Sequence, residues 1–319
     1  MRRRDLIAAL STAALAGVPA MAETAKVLGL LAPGPMRPIG NFKRRLGALG
    51  WIEGQTIRFE ERWGEGDDRR YVALAAELAA LPVDAILTWS TPAALAAKQA
   101  TSKIPIVMGA IADPVAVGVV TGLPRPGSNI TGFSSQNYDL EEKRFELLRE
   151  VAPGVKRIVA LGNAGNPYSV LAMKRVNDLA MAAGLSFGAI NIDETGGLES
   201  GLDKLRGAHP DGVLIVAAPA LFPYCKPIAE FMAANQIPAV YPFREFAEAG
   251  GLLVYATNFD HLFRKAAAYV DRVLRGALPG ELPVEQADTF ELVINMRAAK
   301  ALGLTVPQTL LARADEVIE

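Results

Sequence analysis

"DAILTWSTPAALAAKQ", residues 84–99, contains the transition that decides the fold. Ala85 to Trp89 is a short apolar run typical of a buried strand, and the alanine-rich segment after Pro92 is typical of a helix. Two hydroxyl residues, Ser90 and Thr91, stand between them, and a proline suits the first turn of a helix. The stretch therefore predicts a buried strand that leads directly into a helix through a polar junction.

The same alternation extends in both directions. Before and after the quoted stretch, the sequence predicts strands at 26–32, 55–63 and 104–110 and helices at 41–50 and 68–81. A turn rich in proline and glycine precedes a short strand near residue 130, and the alternation then resumes. The later strands are predicted at 156–163, 186–192, 211–218, 237–242, 251–257 and 290–296, and the later helices at 140–152, 166–184, 261–277 and 297–304.

Buried strands that alternate with helices indicate parallel sheets with helices on both faces. The break near residue 130 indicates two such α/β lobes in succession. Open α/β sheets bind ligands at the carboxyl ends of their strands, so a cleft between the lobes is the expected site.

The first 22 residues, "MRRRDLIAALSTAALAGVPAMA", have the layout of a secretory signal peptide. A basic start and an apolar middle lead to Ala20-Met21-Ala22, which predicts cleavage after Ala22 and a periplasmic protein without a membrane anchor. "RRDLI" also suits a twin-arginine signal, and the Sec route is the alternative.

The composition and the missing motifs argue against several classes of function, including nucleic-acid binding and common enzyme types. The chain has 319 residues, is 51% hydrophobic and carries a formal net charge of −1, so no nucleic-acid or anionic membrane partner is expected. The sequence contains no G-x-G-x-x-G, no phosphate-binding G-x-x-x-x-G-K-[ST] and no G-x-S-x-G motif. Cys225, the sole cysteine, is interpreted as a small buried residue, and the two histidines as surface residues. We therefore expect no enzymatic activity, no cofactor and no metal.

The polar junction after Trp89 has two compatible interpretations. Ser90 or Thr91 can cap the following helix, and the same helix start can hold a carboxylate on its hydroxyl and N–H groups. Asp113, which follows the strand at 104–110, is interpreted first as a cap and second as a ligand contact.

Later strand ends offer further candidates. Asn166 is predicted as a helix cap, which leaves Asn163 free to meet a ligand. Arg244 and Glu245 are interpreted first as a surface ion pair and second as part of the site, and Asn258 lies at the start of a helix.

Several longer stretches resemble one family. "GWIEGQTIRFEERWGEGDDRRYVALAAELAALPVDAIL", "STPAALAAKQATSKIPIV", "DPVAVGVVTGLPRPGSNITG" and "FREFAEAGGLLVYATN" are similar to the substrate-binding proteins of ABC transporters, whose characterised members bind aromatic amino acids. The most specific piece is the tail, "LPVEQADTFELVINMRAAKALGLTVPQTLLARADEVIE", and the resemblance covers nearly the whole mature chain.

The resemblance implies a two-lobed periplasmic-binding-protein type I fold with three crossovers. It divides the mature chain into lobe 1 (23–131 and 258–286) and lobe 2 (132–257 and 287–319). The ligand-binding residues that it implies, on loops after strands, are Ser90, Thr91, Ala110, Asp113, Ser134, Ser135, Asn163, Pro219, Phe243, Arg244, Glu245 and Asn258. An amino-acid ligand would place its carboxylate on Ser90 and Thr91 and its ammonium on Asp113 or Glu245.

The function that this resemblance implies is delivery of a small molecule, such as an aromatic amino acid or a related carboxylate, to an inner-membrane ABC permease. A monomer that closes on its ligand by a hinge would suffice. The alternative is a periplasmic sensing module that presents the ligand to a receptor. An enzyme on the same scaffold would need catalytic residues that the sequence does not display.

Overall fold

The computed structural model describes residues 25–192 and 197–319, so the predicted signal peptide lies outside the described residues. The strands are β1 (Lys26–Ala32), β2 (Ile57–Trp63), β3 (Ala85–Thr88), β4 (Ile106–Ile111), β5 (Ile130–Ser134), β6 (Arg157–Gly162), β7 (Ser186–Asn191), β8 (Gly212–Ile215), β9 (Ala239–Tyr241), β10 (Leu253–Thr257), β11 (Val284–Gln286), β12 (Phe290–Asn295) and β13 (Glu316–Ile318).

The α-helices are α1 (Arg37–Ala48), α2 (Tyr71–Ala80), α3 (Thr91–Ala100), α4 (Asn137–Val151), α5 (Pro167–Ala182), α6 (Gly197–Ala208), α7 (Cys225–Ala234), α8 (Glu245–Glu248), α9 (Phe259–Leu274), α10 (Met296–Ala301) and α11 (Gln308–Leu311). Short 3₁₀ turns lie at Asp68–Arg70, Pro219–Tyr224 and Pro279–Glu281.

The described strands form two sheets. The first has the order β11-β5-β4-β3-β1-β2, and all of its pairings are parallel. The second has the order β13-β12-β10-β9-β8-β6-β7 and is parallel except where β10 meets β12. We call each sheet with its packed helices a lobe: the first lobe contains α1, α2, α3 and α9, and the second contains α4 to α8, α10 and α11.

Each lobe is built around buried strands. β1, β3, β4 and β5 in the first sheet and β8 and β9 in the second are almost entirely buried, as expected for parallel strands with helices on both faces. Helices α1 and α9 cover one face of the first sheet with an apolar cluster that includes Phe42 and Phe263. α2 and α3 cover the opposite face, so the predicted three-layer arrangement is present.

The chain passes between the lobes three times: after β5, after β10 and after β11. Hydrogen bonds tie these crossovers together. Thr257 donates its hydroxyl to the Ser135 carbonyl at 2.6 Å, and the Ala287 N–H donates to the Ser134 carbonyl at 2.8 Å. The crossovers therefore form one hydrogen-bonded hinge.

The strand pairing corrects one predicted boundary. The limit expected after residue 131 falls inside β5, and β5 pairs with β4 and β11 over its length, so the first crossover begins after Ser134. The other expected limits, at 257/258 and 286/287, fall where β10 and β11 end.

Six described strands and α-helices were absent from the sequence interpretation: α6, α7, α8, α11, β11 and β13. β11 and β13 are three-residue strands at sheet edges, too short to show a period. Pro227 inside the first turn of α7 obscures a helical pattern there. The antiparallel direction of β12 could not be predicted either, because an apolar run has the same pattern in a parallel and in an antiparallel strand.

Candidate functional site

A cavity lies between the lobes, at the carboxyl ends of the strands of both sheets. Its wall comes from loops and helix starts that follow β1, β3, β4, β5, β6, β8, β9 and β10. The lining residues are Met36, Trp89, Ser90, Thr91, Ala110, Ala112, Ser135, Asn137, Asn166, Tyr168, Ala217, Pro219, Phe222, Phe243, Phe259 and Phe263.

Aromatic rings from both lobes form much of this wall. Trp89 and Phe263 belong to the first lobe, and their ring centroids lie 5.6 Å apart in an edge-to-face arrangement. Phe222 and Phe243 of the second lobe lie 5.0 Å apart, and Phe243 reaches Phe259 of α9 at 6.1 Å. Such a wall can stack on a flat apolar group that enters between the lobes.

The start of α3 supplies the polar part of the first lobe's wall. Ser90 is the N-cap of α3, and its Oγ accepts the N–H of Ala93 at 3.3 Å, so the predicted capping role is confirmed. Thr91 begins the helix, and both residues are buried and line the cavity. The anion-binding role of this helix start stays a prediction.

A buried polar network stands behind the wall of the second lobe. Arg144 donates to Glu141 at 3.0 Å, to Asn137 at 2.7 Å and to the Tyr255 carbonyl at 2.8 Å. The Tyr168 hydroxyl donates to the same Glu141 oxygen at 2.9 Å. Asn137 and Tyr168 reach the cavity, so the buried ion pair fixes two of its polar lining residues.

Burial controls the ionisation of this network. Desolvation raises the pKa of Glu141 above its usual range, although the Arg144 charge opposes the shift. Desolvation, followed by the Glu141 charge, raises the pKa of Tyr168 well above its ordinary value. Tyr168 therefore stays protonated and acts as a hydrogen-bond donor.

Three buried side-chain polar atoms have no hydrogen-bond partner among the described residues: Thr88 Oγ1, Trp89 Nε1 and Glu141 Oε2. Trp89 lines the cavity, Thr88 precedes it, and Glu141 bonds the cavity residue Tyr168. By contrast, Trp51 donates its indole N–H to Asp271 at 2.8 Å. Because buried polar groups are normally paired, the unpaired indole N–H of Trp89 is the one of the three that a ligand in the cavity can meet.

Six of the twelve predicted site residues line the cavity: Ser90, Thr91, Ala110, Ser135, Pro219 and Phe243. The other six, Asp113, Ser134, Asn163, Arg244, Glu245 and Asn258, lie outside its lining. Contact with a ligand stays a prediction for both groups, although the residues of the second group do not line this cavity.

Asp113, Ser134 and Asn163 are held by local hydrogen bonds. Asp113 accepts the N–H groups of Val115 at 3.2 Å and Ala116 at 3.0 Å, which stabilises a turn instead of a helix. Ser134 donates to the Ala112 carbonyl at 3.4 Å beside the hinge. The Asn163 side chain accepts the Gly165 N–H at 2.7 Å, and its contact with a ligand stays a prediction.

Arg244, Glu245 and Asn258 line an adjoining polar pocket, which shares Phe259 with the cavity and also includes Arg37, Pro38, Asp260 and Glu291. Arg244 donates to Glu291 at 2.9 Å and also to Glu316, so its guanidinium joins β12 and β13. Asn258 caps α9 by accepting the His261 N–H at 2.8 Å. Arg244 thus forms ion pairs, but its described partners are Glu248 at 3.8 Å, Glu291 and Glu316, and the expected pair with Glu245 is not among them.

Sequence reasoning missed most of the aromatic wall. Phe222 and Phe259 each follow a strand end, so their positions were a usable signal. Met36 and Phe263 gave none, because their place in the wall depends on how α1 and α9 pack.

In the parts of the chain that the structure describes, no helix is both long and apolar enough to cross a membrane. The same residues contain no group of three acidic, histidine or cysteine side chains that could hold a metal ion.

Known proteins match this chain over most of its length. The tyrosine-binding protein of Clostridioides difficile strain R20291 is 28% identical over 264 residues, which cover 82% of this chain and 75% of that protein. A Streptococcus pneumoniae ABC domain solved in complex with L-Trp is 25% identical, with a TM-score of 0.84 over 92% of this chain and 100% of that one.

A periplasmic binding protein/LacI transcriptional regulator from Alkaliphilus metalliredigens, solved with D-xylulofuranose, shares the fold alone. It is 15% identical, with a TM-score of 0.56 over 84% of this chain and 97% of that one. These likenesses and the two sheets confirm the predicted type I periplasmic-binding-protein fold.

The family model described as ABC transporter substrate binding protein matches residues 33–318, which is almost all of the described chain. A cavity between two α/β lobes agrees with the solute-binding role of that family. The chain therefore belongs to the ABC transporter substrate binding protein family.

Proposed function

We propose that this protein is the periplasmic binding component of an ABC importer and carries a small aromatic carboxylate, unaltered, to a membrane permease. The observation that carries the proposal is the aromatic wall, which both lobes build around one cavity. The N-terminal sequence pattern supports export, and the match to the family supports a partner permease.

The choice of ligand class draws on the cavity and on the relatives. Rings from Trp89, Phe222 and Phe243 offer stacking partners, and the start of α3 offers hydroxyl and N–H groups to a carboxylate. One relative is named for tyrosine and another was solved with L-Trp, so aromatic amino acids and related aromatic carboxylates are the ligands to test.

The working cycle that we propose is hinge closure. A ligand that touches both lobes binds the closed arrangement better than the open one and so shifts the equilibrium towards it. The hydrogen-bonded crossovers at Ser134, Ser135 and Thr257 are the axis for that motion. The permease then recognises the closed shape.

The experiment is a thermal-shift screen of the purified exported protein. L-tyrosine, L-tryptophan, L-phenylalanine and their aryl-propanoate analogues are compared with L-leucine and D-glucose. We expect aromatic carboxylates to raise the melting temperature, because they bind the folded state only. Calorimetry should then show saturable binding, and chromatography should recover the ligand unchanged.

Two variants test the location of the site. Phe222→Ala removes one ring of the aromatic wall and should weaken binding at least tenfold. Phe187→Ala on β7 is the matched control, because Phe187 lies outside the cavity lining. Chemical conversion of a ligand, or no response to any aromatic carboxylate, would refute the proposal. Co-purification with a permease distinguishes an importer component from a sensing module.

A further inference from the structure

We infer that the ligand is an aromatic carboxylate that lacks the α-ammonium group of an amino acid. This inference rests on the proposed function and narrows it, because an amino acid and its des-amino analogue differ in one charge. Two features of the cavity support it: the helix ends that face it and the absence of charged side chains from its described lining.

Four helices start at the cavity wall. Thr91 begins α3, Asn137 begins α4, Tyr168 lies in the first turn of α5 and Phe259 begins α9. These helices have 10, 15, 16 and 16 residues, so each has a full macrodipole. The amino end of a helix carries a partial positive charge, which attracts an anion and repels a cation.

No acidic side chain lines the cavity within the described chain, and the first turns of α3 and α5 contain none. The first turns of α4 and α9 contain Asp139 and Asp260, so the positive potential comes mainly from α3 and α5. The polar lining residues within the described chain are all neutral: Ser90, Thr91, Ser135, Asn137, Asn166 and Tyr168. The two carboxylates expected to meet an ammonium do not line the cavity. Asp113 accepts two turn N–H groups beside Ala112, and Glu245 lines the adjoining polar pocket, where Arg37 and Arg244 supply positive charge.

Glu141 is an acidic residue just behind the wall, where it accepts a hydrogen bond from the lining residue Tyr168. It is fully buried behind the lining, and Arg144 neutralises it at 3.0 Å. Its Oε2 has no hydrogen-bond partner among the described residues, but the pair as a whole carries no net charge. An ammonium group in the cavity would thus lose its hydration without gaining a free counter-charge, which is costly.

The test compares three matched pairs by calorimetry at pH 7. They are L-tyrosine with 3-(4-hydroxyphenyl)propanoate, L-phenylalanine with 3-phenylpropanoate, and L-tryptophan with indole-3-propanoate. We expect the des-amino member of the best-binding pair to bind at least tenfold more tightly. Tyramine, which keeps the ammonium and lacks the carboxylate, should not bind.

Tighter binding of the amino acid in that pair would overturn the inference and leave the proposed function intact. Failure of all six compounds to bind would instead refute the proposed function. Glu141→Gln adds a second readout. If Glu141 were the ammonium partner, this variant would weaken amino-acid binding selectively, whereas we expect the ratio within each pair to stay the same. The wild-type comparison decides the question even where this variant does not fold.

Discussion

Asn163 of the second lobe donates its side-chain N–H to Asp68 of the first lobe at 3.4 Å, and so links the two lobes across the cleft. Asn163 follows β6, and Asp68 begins the 3₁₀ turn before α2. The same Asn163 side chain accepts the Gly165 N–H, so its orientation is fixed within its own loop. A residue expected to contact the ligand thus forms a hydrogen bond to the facing lobe.

Asp68→Ala should weaken ligand binding by about two- to tenfold, because the substitution removes the hydrogen bond with Asn163 that links the two lobes and that we propose forms on closure. Calorimetry with the best-binding compound of the thermal-shift screen measures this loss. Asp203→Ala, which changes an exposed residue on α6, is the control. A double-mutant cycle with Asn163→Ala should show coupling between the two positions, and simple additivity would contradict the link.

Thr91→Val should reduce affinity for the carboxylate about tenfold while the unliganded protein keeps its melting temperature within a few degrees. The substitution keeps the shape of the side chain and removes a hydroxyl at the start of α3, in the cavity wall. Thr305→Val, at an exposed position, is the matched control. Unchanged affinity in Thr91→Val would place the carboxylate elsewhere.

Arg244→Met should lower the free energy of unfolding by about 1–2 kcal/mol and leave ligand affinity unchanged. The reason is that Arg244 bonds Glu291 and Glu316 and lies outside the cavity. Urea unfolding and calorimetry separate the two effects. A large loss of affinity without a loss of stability would return Arg244 to the binding site.

Glu245→Gln should stabilise the protein at neutral pH and have little effect at pH 4. Burial, followed by repulsion from Glu248, raises the pKa of Glu245 in the folded state. Folding therefore favours the protonated form. The stability that this form contributes is complete below the unfolded pKa and is lost as the pH rises through the raised folded value.

Urea midpoints of wild type and Glu245→Gln, measured from pH 4 to pH 8, test this dependence. The two curves should converge at the acid end and separate as the pH rises. Wild type more stable than the variant at pH 7 would show that the Glu245 charge is favourable, contrary to the prediction.

The local parts of this fold could be predicted from sequence. Ser90 caps α3 through an N–H only three residues away, so the junction in residues 84–99 contains all that its structure needs. The buried strands were also predictable, because an apolar run between turn residues persists wherever the strand packs. The strand boundaries at the hinge were harder to predict, because β5 pairs with β11, whose residues lie about 150 positions further along the chain.

The site was only half predictable for the same reason. Arg244 meets its carboxylates 47 and 72 positions further along the chain, and the partner of Asn163 is 95 positions away. A polar residue after a strand can face the cavity, cap a turn or bridge the lobes, and the local sequence is the same in each case. Only the packing of α1, α9 and the second lobe decides which of these roles it has.

Trp89 gives the protein a built-in optical reporter. It is one of three tryptophans, it lines the cavity, and its ring centroid is 5.6 Å from that of Trp63. An aromatic guest beside this indole should alter its emission, so stopped-flow fluorescence can time the arrival and departure of the guest without any added label. Trp89→Phe would silence that signal, and Trp51, which bonds Asp271, would remain as a steady background.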